Sequence, residues 1–300
     1  MANPNTHPTA DANTTTHTLR TAGADLVYDV QGPLPAAGGR PPLLMIGQPM
    51  DASGFRTLAG LFPERTVVTY DPRGLGRSTR RDGRTDHDPV TQAGDVHALI
   101  EALGAGPVEM FASSGGAVTA LALVAAHPGD VSVLVAHEPP LLPLLPDAGA
   151  AARAEAAVRE TYQAKGFGHG MAAFLAMSSW QGEFTSAYFD QPAPDPAAFG
   201  LPAEDDGSRD DPLLAASAKV TAYRPDAAAL TAAPTRIVIA VGEETGSVLT
   251  GRAAEATARL LGQRAAVFPS HHGGFLGPES GFPGQPEAFA RRLREVLDGA

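Results

Sequence analysis

The chain contains no cysteine, which excludes disulfides and cysteine chemistry and leaves the redox compartment open. It also has no apolar run near the ~18 residues that suggest a membrane span. "VTALALVAAHP" (118–128) comes nearest and is too short. The N-terminal "MANPNTHPTADANTTTHT" shows no basic segment followed by an apolar one, so it does not read as a secretory leader. Residues 1–16 are expected to be a disordered lead-in, and a cytoplasmic location is the expectation. Positive charge is scarce: 22 Lys and Arg stand against 33 Asp and Glu, a formal net charge of -11. That surplus of carboxylates argues against a nucleic-acid or anionic-membrane partner.

What is present suits one large α/β domain: 300 residues, 43% of them apolar. "THTLRTAG" and "ADLVYDVQG" read as two strands joined by a turn. "PPLLMIG", "RTVVTYD", "PVEMFA" and "VSVLVAHE" follow as short, continuously apolar strands. Between them stand helical patterns such as "TQAGDVHALIEALG" (91–104), with Val96, Leu99, Ile100 and Leu103 on one stripe and Gly104 as the stop. This alternation predicts a mainly parallel sheet with helices on both faces. The rhythm breaks over 139–233, where helical patches and a turn-rich acidic stretch replace strands, and resumes with "TRIVIAVG" and "RAAVFP". The expected organisation is a core in two parts, 17–138 and 234–300, with residues 139–233 inserted as a helical segment. No internal repeat is visible.

Two segments carry the candidate chemistry. In "ASSGG" (112–116) small residues flank Ser114 where a buried strand must turn into a helix. Such a reversal can hold a serine outward as a nucleophile, or can simply use it as a helix cap. Ser113 is less suited to that role, because Phe111 would crowd the turn. A serine nucleophile needs a neutral histidine base. "FPSHHGGFLG" follows the last strand, and His272, next to Gly273 and Gly274, ranks above His271. His7 and His17 fall in the lead-in, and His127 occupies a helix end. The histidines are scattered, and the carboxylates of "PAEDDGSRDDP" lack the pattern of a calcium loop, so no metal site is expected. No cofactor is implied either.

These pieces, together with "GQP" (47–49) and "DPRGLGRS" (71–78), make the chain resemble the α/β-hydrolase fold superfamily from residue 17 onward. The resemblance implies the α/β-hydrolase fold, a serine-nucleophile esterase- or lipase-like enzyme, and a cap formed by the inserted helices. It implies an oxyanion hole from the backbone N–H groups of Gly115 and Gln48. Ile46 stands where the family's oxyanion loop carries histidine. The resemblance also implies a triad acid in one of two places. One is the turn "GEET" (242–245), where Thr245 fills the usual aspartate position and Glu244 or Glu243 would have to serve. The other is Glu138, at the end of "VSVLVAHE", and it ranks first because a carboxylate ending an apolar strand must be paired. Met171, Phe174, Met177 and Trp180 from the cap, with Met50, Phe55 and His137, are expected to line an apolar pocket.

The expected function is hydrolysis of an uncharged, apolar ester, lactone or thioester through an acyl-enzyme. A serine at the elbow argues against epoxide hydrolysis, which in related enzymes uses a carboxylate. The alternatives are an inactive domain that binds an apolar small molecule, and a carbon–carbon bond hydrolase on the same fold. Self-association is left open.

Overall fold

The structure, a computed structural model, describes residues 13–36 and 39–299. Strands β1 (Thr14–Thr21) and β2 (Ala24–Gln31) form an antiparallel hairpin. Strand β1 therefore includes Thr14–Thr16, which the sequence placed in the lead-in. His17 is also in this strand, its ring stacked on Tyr28, and is not part of a disordered segment. His7 lies outside the described residues.

Strand β3 (Leu43–Ile46) is followed by a 3-10 turn and α1 (Arg56–Gly60), then β4 (Val67–Tyr70) and a two-residue β5 (Thr79–Arg80) that the sequence did not announce. Helix α2 (Pro89–Leu103) starts at Asp88, whose carboxylate caps Val90 and Thr91, and stops at Gly104 with a φ of 61°. Strand β6 (Val108–Ser113), α3 (Gly115–Ala126) and β7 (Val131–His137) complete the first part of the core.

The sheet runs in the order β1-β2-β4-β3-β6-β7-β8-β9, with β5 paired to β2. The strands from β4 to β9 along this order are mutually parallel. Their continuous apolar runs follow from burial on both faces. One face packs α2 and α3 over Leu44, Ile46, Met110 and Leu134. The other packs α1 and the C-terminal helix over Met45, Phe111 and Phe268.

Between β7 and β8 (Arg236–Gly242) the chain is helical. It forms α4 (Ala148–Lys165), α5 (Phe167–Ser178), α6 (Ser186–Phe189), α7 (Pro212–Ala216), α8 (Ala218–Thr221) and α9 (Ala227–Ala232). These helices hold a third apolar cluster, around Val158, Tyr162, Met177 and Leu214. After β8 come α10 (Leu249–Leu260), β9 (Ala266–Phe268) and α11 (Pro286–Asp298). Leu249 and Ala253 of α10 join the third cluster, and Arg252 is ion-paired with Asp147 just before α4. The inserted helices are thus fastened to the core beside the carboxyl ends of the strands, where open α/β sheets place their ligands.

"DPRGLGRS" packs as a structural loop. Asp71 accepts from the Ala52 and Arg77 N–H groups, and Arg73 clamps Asp95 with two 2.6 Å hydrogen bonds. Among the described residues no helix is long and apolar enough to cross a membrane.

Candidate active site

Ser114 occupies the reversal between β6 and α3 with φ 55° and ψ -127°. Holding a non-glycine residue there costs on the order of 1–3 kcal/mol and must be imposed by its surroundings. Two contacts impose it. The Ser114 N–H donates to the His137 carbonyl at 2.9 Å. Two residues on, a Cβ at Gly116 would stand 2.7 Å from Gly47 Cα and from the Ile46 carbonyl oxygen, so only glycine lets α3 start this close to β3. The Ser114 side chain makes no capping hydrogen bond. The turn therefore presents the hydroxyl rather than consuming it.

Glu138 sits at the end of β7, fully buried, with φ 48°. Its Oε1 accepts from the Gly242 N–H at 2.8 Å and from Thr245 Oγ1 at 2.5 Å. Its Oε2 accepts from Thr250 Oγ1 at 2.9 Å and lies 2.6 Å from His272 Nδ1. Burial alone would raise the pKa of this carboxyl. The hydrogen bonds from His272 and Thr245 and the nearby imidazoles reverse that, and hold it well below the usual carboxylate range. With Glu138 ionised, the shared proton belongs on His272 Nδ1, which leaves Nε2 as the free nitrogen of a ring that lines the same cavity as Ser114. Glu244 lies elsewhere: it is exposed and accepts from Ser270 Oγ and Gln285 Nε2. Glu243 is exposed as well. His271 Nδ1 accepts from the Gly273 N–H, and its ring rests against Phe282.

The cavity has a volume of ≈ 290 Å³ and lies between the strand ends and the inserted helices. Ser114, Gly115, Gln48 and His272 line one part of it, and Phe174, Met177, Leu214 and Val220 supply apolar wall. The other expected pocket residues do not line it. Phe55 is fully buried in the core on the α11 side, where Met50 packs beside it. Met171 and Trp180 pack within the inserted helices, the indole N–H bonded to the Glu183 carbonyl. A helical stripe of large apolar residues serves its own cluster first, and only part of it reaches the cavity.

His137 is also excluded from the cavity. It is fully buried among Phe111, Phe268, Phe275 and Phe289, and Nδ1 lies 3.3 Å from Ser113 Oγ. Burial lowers its pKa to about 4, against the upward pull of Glu138 four ångströms away. In the unfolded chain a histidine titrates near 6.5. Protons therefore bind the unfolded state preferentially as pH falls from about 6.5 to about 4, and stability is lost over that window by roughly 3 kcal/mol. Burial holds His87 at about 4 too, with the same sign. We expect the urea midpoint to fall between pH 7 and pH 4.5, and His137→Gln to remove about half of that decline. A decline unchanged in the variant would contradict this assignment.

Several side-chain roles at the site were not read from the sequence. Thr245 and Thr250 are ordinary turn and helix-start residues until the fold brings both hydroxyls to Glu138. The Gln48 side chain was overlooked in favour of its backbone, yet its amide nitrogen and oxygen are both buried with no partner. Glu155 and Arg159 of α4 line the cavity and carried no sequence signal beyond an exposed helical face. The structure also brings together His97, His127 and Asp130, whose ligand-type atoms lie within 4.8 Å of one another. The two rings stack at 3.7 Å with planes 11° apart. His97 Nδ1 is bonded to Asp130 Oδ2 at 2.7 Å. His97, His127 and Asp130 thus form a hydrogen-bonded cluster at the end of α3.

A sequence profile described as alpha/beta hydrolase fold matches residues 43–187. An uncharacterized hydrolase of Bacillus subtilis (strain 168), YraK, is 39% identical over 129 residues, covering 43% of this chain and 46% of its own length. The match thus spans less than half of that relative. Among solved structures, a thermophilic esterase from Thermogutta terrifontis superposes with a TM-score of 0.62 at 23% identity, covering 95% of this chain and 98% of that one. A putative epoxide hydrolase from Pseudomonas aeruginosa superposes with a TM-score of 0.63 at 18% identity, covering 98% of each. The same fold thus carries different reactions, and the residues at the site must discriminate between them.

Proposed function

We propose that this chain, which has the α/β-hydrolase fold and matches its sequence profile over residues 43–187, is a serine hydrolase cleaving a carboxylic ester, lactone or thioester. The observation that carries the reading is the Glu138–His272 hydrogen bond beside a cavity that also receives Ser114. Ser114 attacks the carbonyl carbon while His272 Nε2 takes its proton. Glu138 fixes the tautomer and stabilises the imidazolium that forms. His272 then returns the proton to the departing alkoxide, leaving Ser114 acylated. Water attacks the acyl-enzyme with His272 again as base, releasing the acid and restoring the serine.

The negative oxygen of each tetrahedral intermediate would lie against the Gly115 and Gln48 N–H groups. In the free protein the Gly115 N–H makes only a long contact, 3.3 Å, to the Gln48 carbonyl. An oxyanion is the stronger acceptor and displaces it. A serine at the elbow, where epoxide opening through an alkyl-enzyme requires a carboxylate, supports acyl transfer. The inserted helices serve as the cap, and their side chains make most of the cavity wall apolar, which suits an acyl chain with little charge.

The cavity sits near the lower limit of the ~300–1,000 Å³ typical of ligand sites. We expect kcat/KM for p-nitrophenyl butyrate to exceed that for the laurate ester by at least about tenfold. A preference for laurate would contradict the cap-enclosed site, and no turnover of any ester would contradict the hydrolase reading.

A further inference from the structure

Two charged groups in the cavity wall have no part in the chemistry above. Helix α4 presents Glu155, Val158 and Arg159, on one face, to the cavity that holds Ser114. The Glu155 carboxylate accepts from Thr221 Oγ1 at 2.6 Å, and burial raises its pKa against the pull of Thr221 and Arg159. Among the described residues no carboxylate lies within 4.0 Å of the Arg159 guanidinium. Other inward arginines of this protein are closed on acids, Arg73 on Asp95 and Arg252 on Asp147. Glu155 and Arg159 therefore share one cavity without touching.

Their position relates them to the nucleophile. Thr221, which holds Glu155, follows Val220 on α8, and a Cβ on Gly115 would stand 3.1 Å from Val220 Cγ1. The polar patch is thus one residue removed from the wall over the turn at Ser114. A substrate whose carbonyl reaches Ser114 passes apolar wall before meeting it.

We propose that Glu155 and Arg159 form a specificity subsite for a neutral group that both donates and accepts hydrogen bonds, a hydroxyl or an amide, carried on the substrate's apolar portion. This deepens the serine hydrolase reading and rests on it. A substrate carboxylate would gain Arg159 but meet Glu155, and an ammonium group would gain Glu155 but meet Arg159. A hydroxyl donates to the free oxygen of Glu155 and accepts from Arg159, so neither charge is left unmatched in an apolar space. A terminal methyl group would leave both unmatched. Discrimination by a half-buried polar pair of this kind exceeds what apolar contact achieves.

The test uses four methyl esters of equal chain length followed in a pH-stat: hexanoate, 6-hydroxyhexanoate, monoadipate and 6-aminohexanoate. The 6-hydroxyhexanoate ester is expected to exceed hexanoate at least about tenfold in kcat/KM, chiefly through KM. That ratio should collapse to about one in Glu155→Gln and in Arg159→Met. Preference for monoadipate would mean that Arg159 acts alone, preference for the amino ester that Glu155 does, and either overturns the proposal. Binding of the same esters to Ser114→Ala by calorimetry keeps the test independent of turnover. Equal affinities for hexanoate and 6-hydroxyhexanoate would overturn the subsite, whereas tight hydroxy-ester binding without turnover in the wild-type protein would count against the nucleophile instead.

Discussion

Ser114→Ala is expected to lower kcat on a short p-nitrophenyl ester by at least about 10⁴-fold, with KM nearly unchanged. The hydroxyl is the atom that forms the acyl-enzyme, and no neighbouring group can take its place. Ser113, the adjacent candidate, is buried and faces His137 on the other side of the sheet. The fold should survive, because alanine is no larger than serine and the positive φ is imposed by the Ser114 N–H bond and by Gly116, both retained. The residual rate would come from the Gly115 and Gln48 N–H groups and from the cavity. Circular dichroism alongside the assay separates lost chemistry from lost fold. A folded variant within tenfold of wild type would remove Ser114 from the reaction.

Glu138→Gln is expected to depress kcat by ~10² to 10⁴ with a modest change in KM. The carboxylate receives four donors: the Gly242 N–H, Thr245, Thr250 and His272. An amide keeps the shape but turns an N–H toward one of those donors, and it cannot stabilise the imidazolium with a full charge. Some loss of stability should accompany the change, because a fully buried group is left with a mismatched bond. Glu244→Gln, assayed beside it, should alter kcat by less than about tenfold, since Glu244 contacts Ser270 and Gln285 rather than His272. A nearly inactive Glu244→Gln enzyme next to an active Glu138→Gln enzyme would move the acid to the turn after β8.

The sequence made the architecture legible because both-face burial leaves a plain record. Runs such as "PPLLMIG" and "TRIVIAVG" fit a parallel strand and little else, and Gly104 closes α2 in the left-handed conformation only glycine adopts easily. The strained turn at Ser114 was legible through its small neighbours, and the pairing of Glu138 through the cost of ending an apolar strand with a carboxylate. The cavity lining was not. Met171 and Trp180 look identical to Phe174 and Met177 as a stripe on a helix, because periodicity says which side is apolar but not which of two apolar surfaces that side meets. Phe55 and Met50 fell to the core for the same reason. The hydroxyls of Thr245 and Thr250 reach Glu138 only where the turn after β8 and the start of α10 meet the end of β7, and Glu155 and Arg159 face the cavity only because α4 lies over the strand ends. No local pattern encodes either. The two-residue β5 is too short to carry a period at all.

The central claim is that Ser114 is an activated nucleophile, and a fluorophosphonate reads it most directly. The reagent phosphonylates an activated serine hydroxyl and displaces fluoride, and peptide mass spectrometry then locates the adduct. The account predicts one adduct per chain, on the peptide carrying Ser114, with labelling abolished in Ser114→Ala and strongly slowed in Glu138→Gln. An adduct on any other residue, or none under conditions that fully label a known serine esterase, would contradict it.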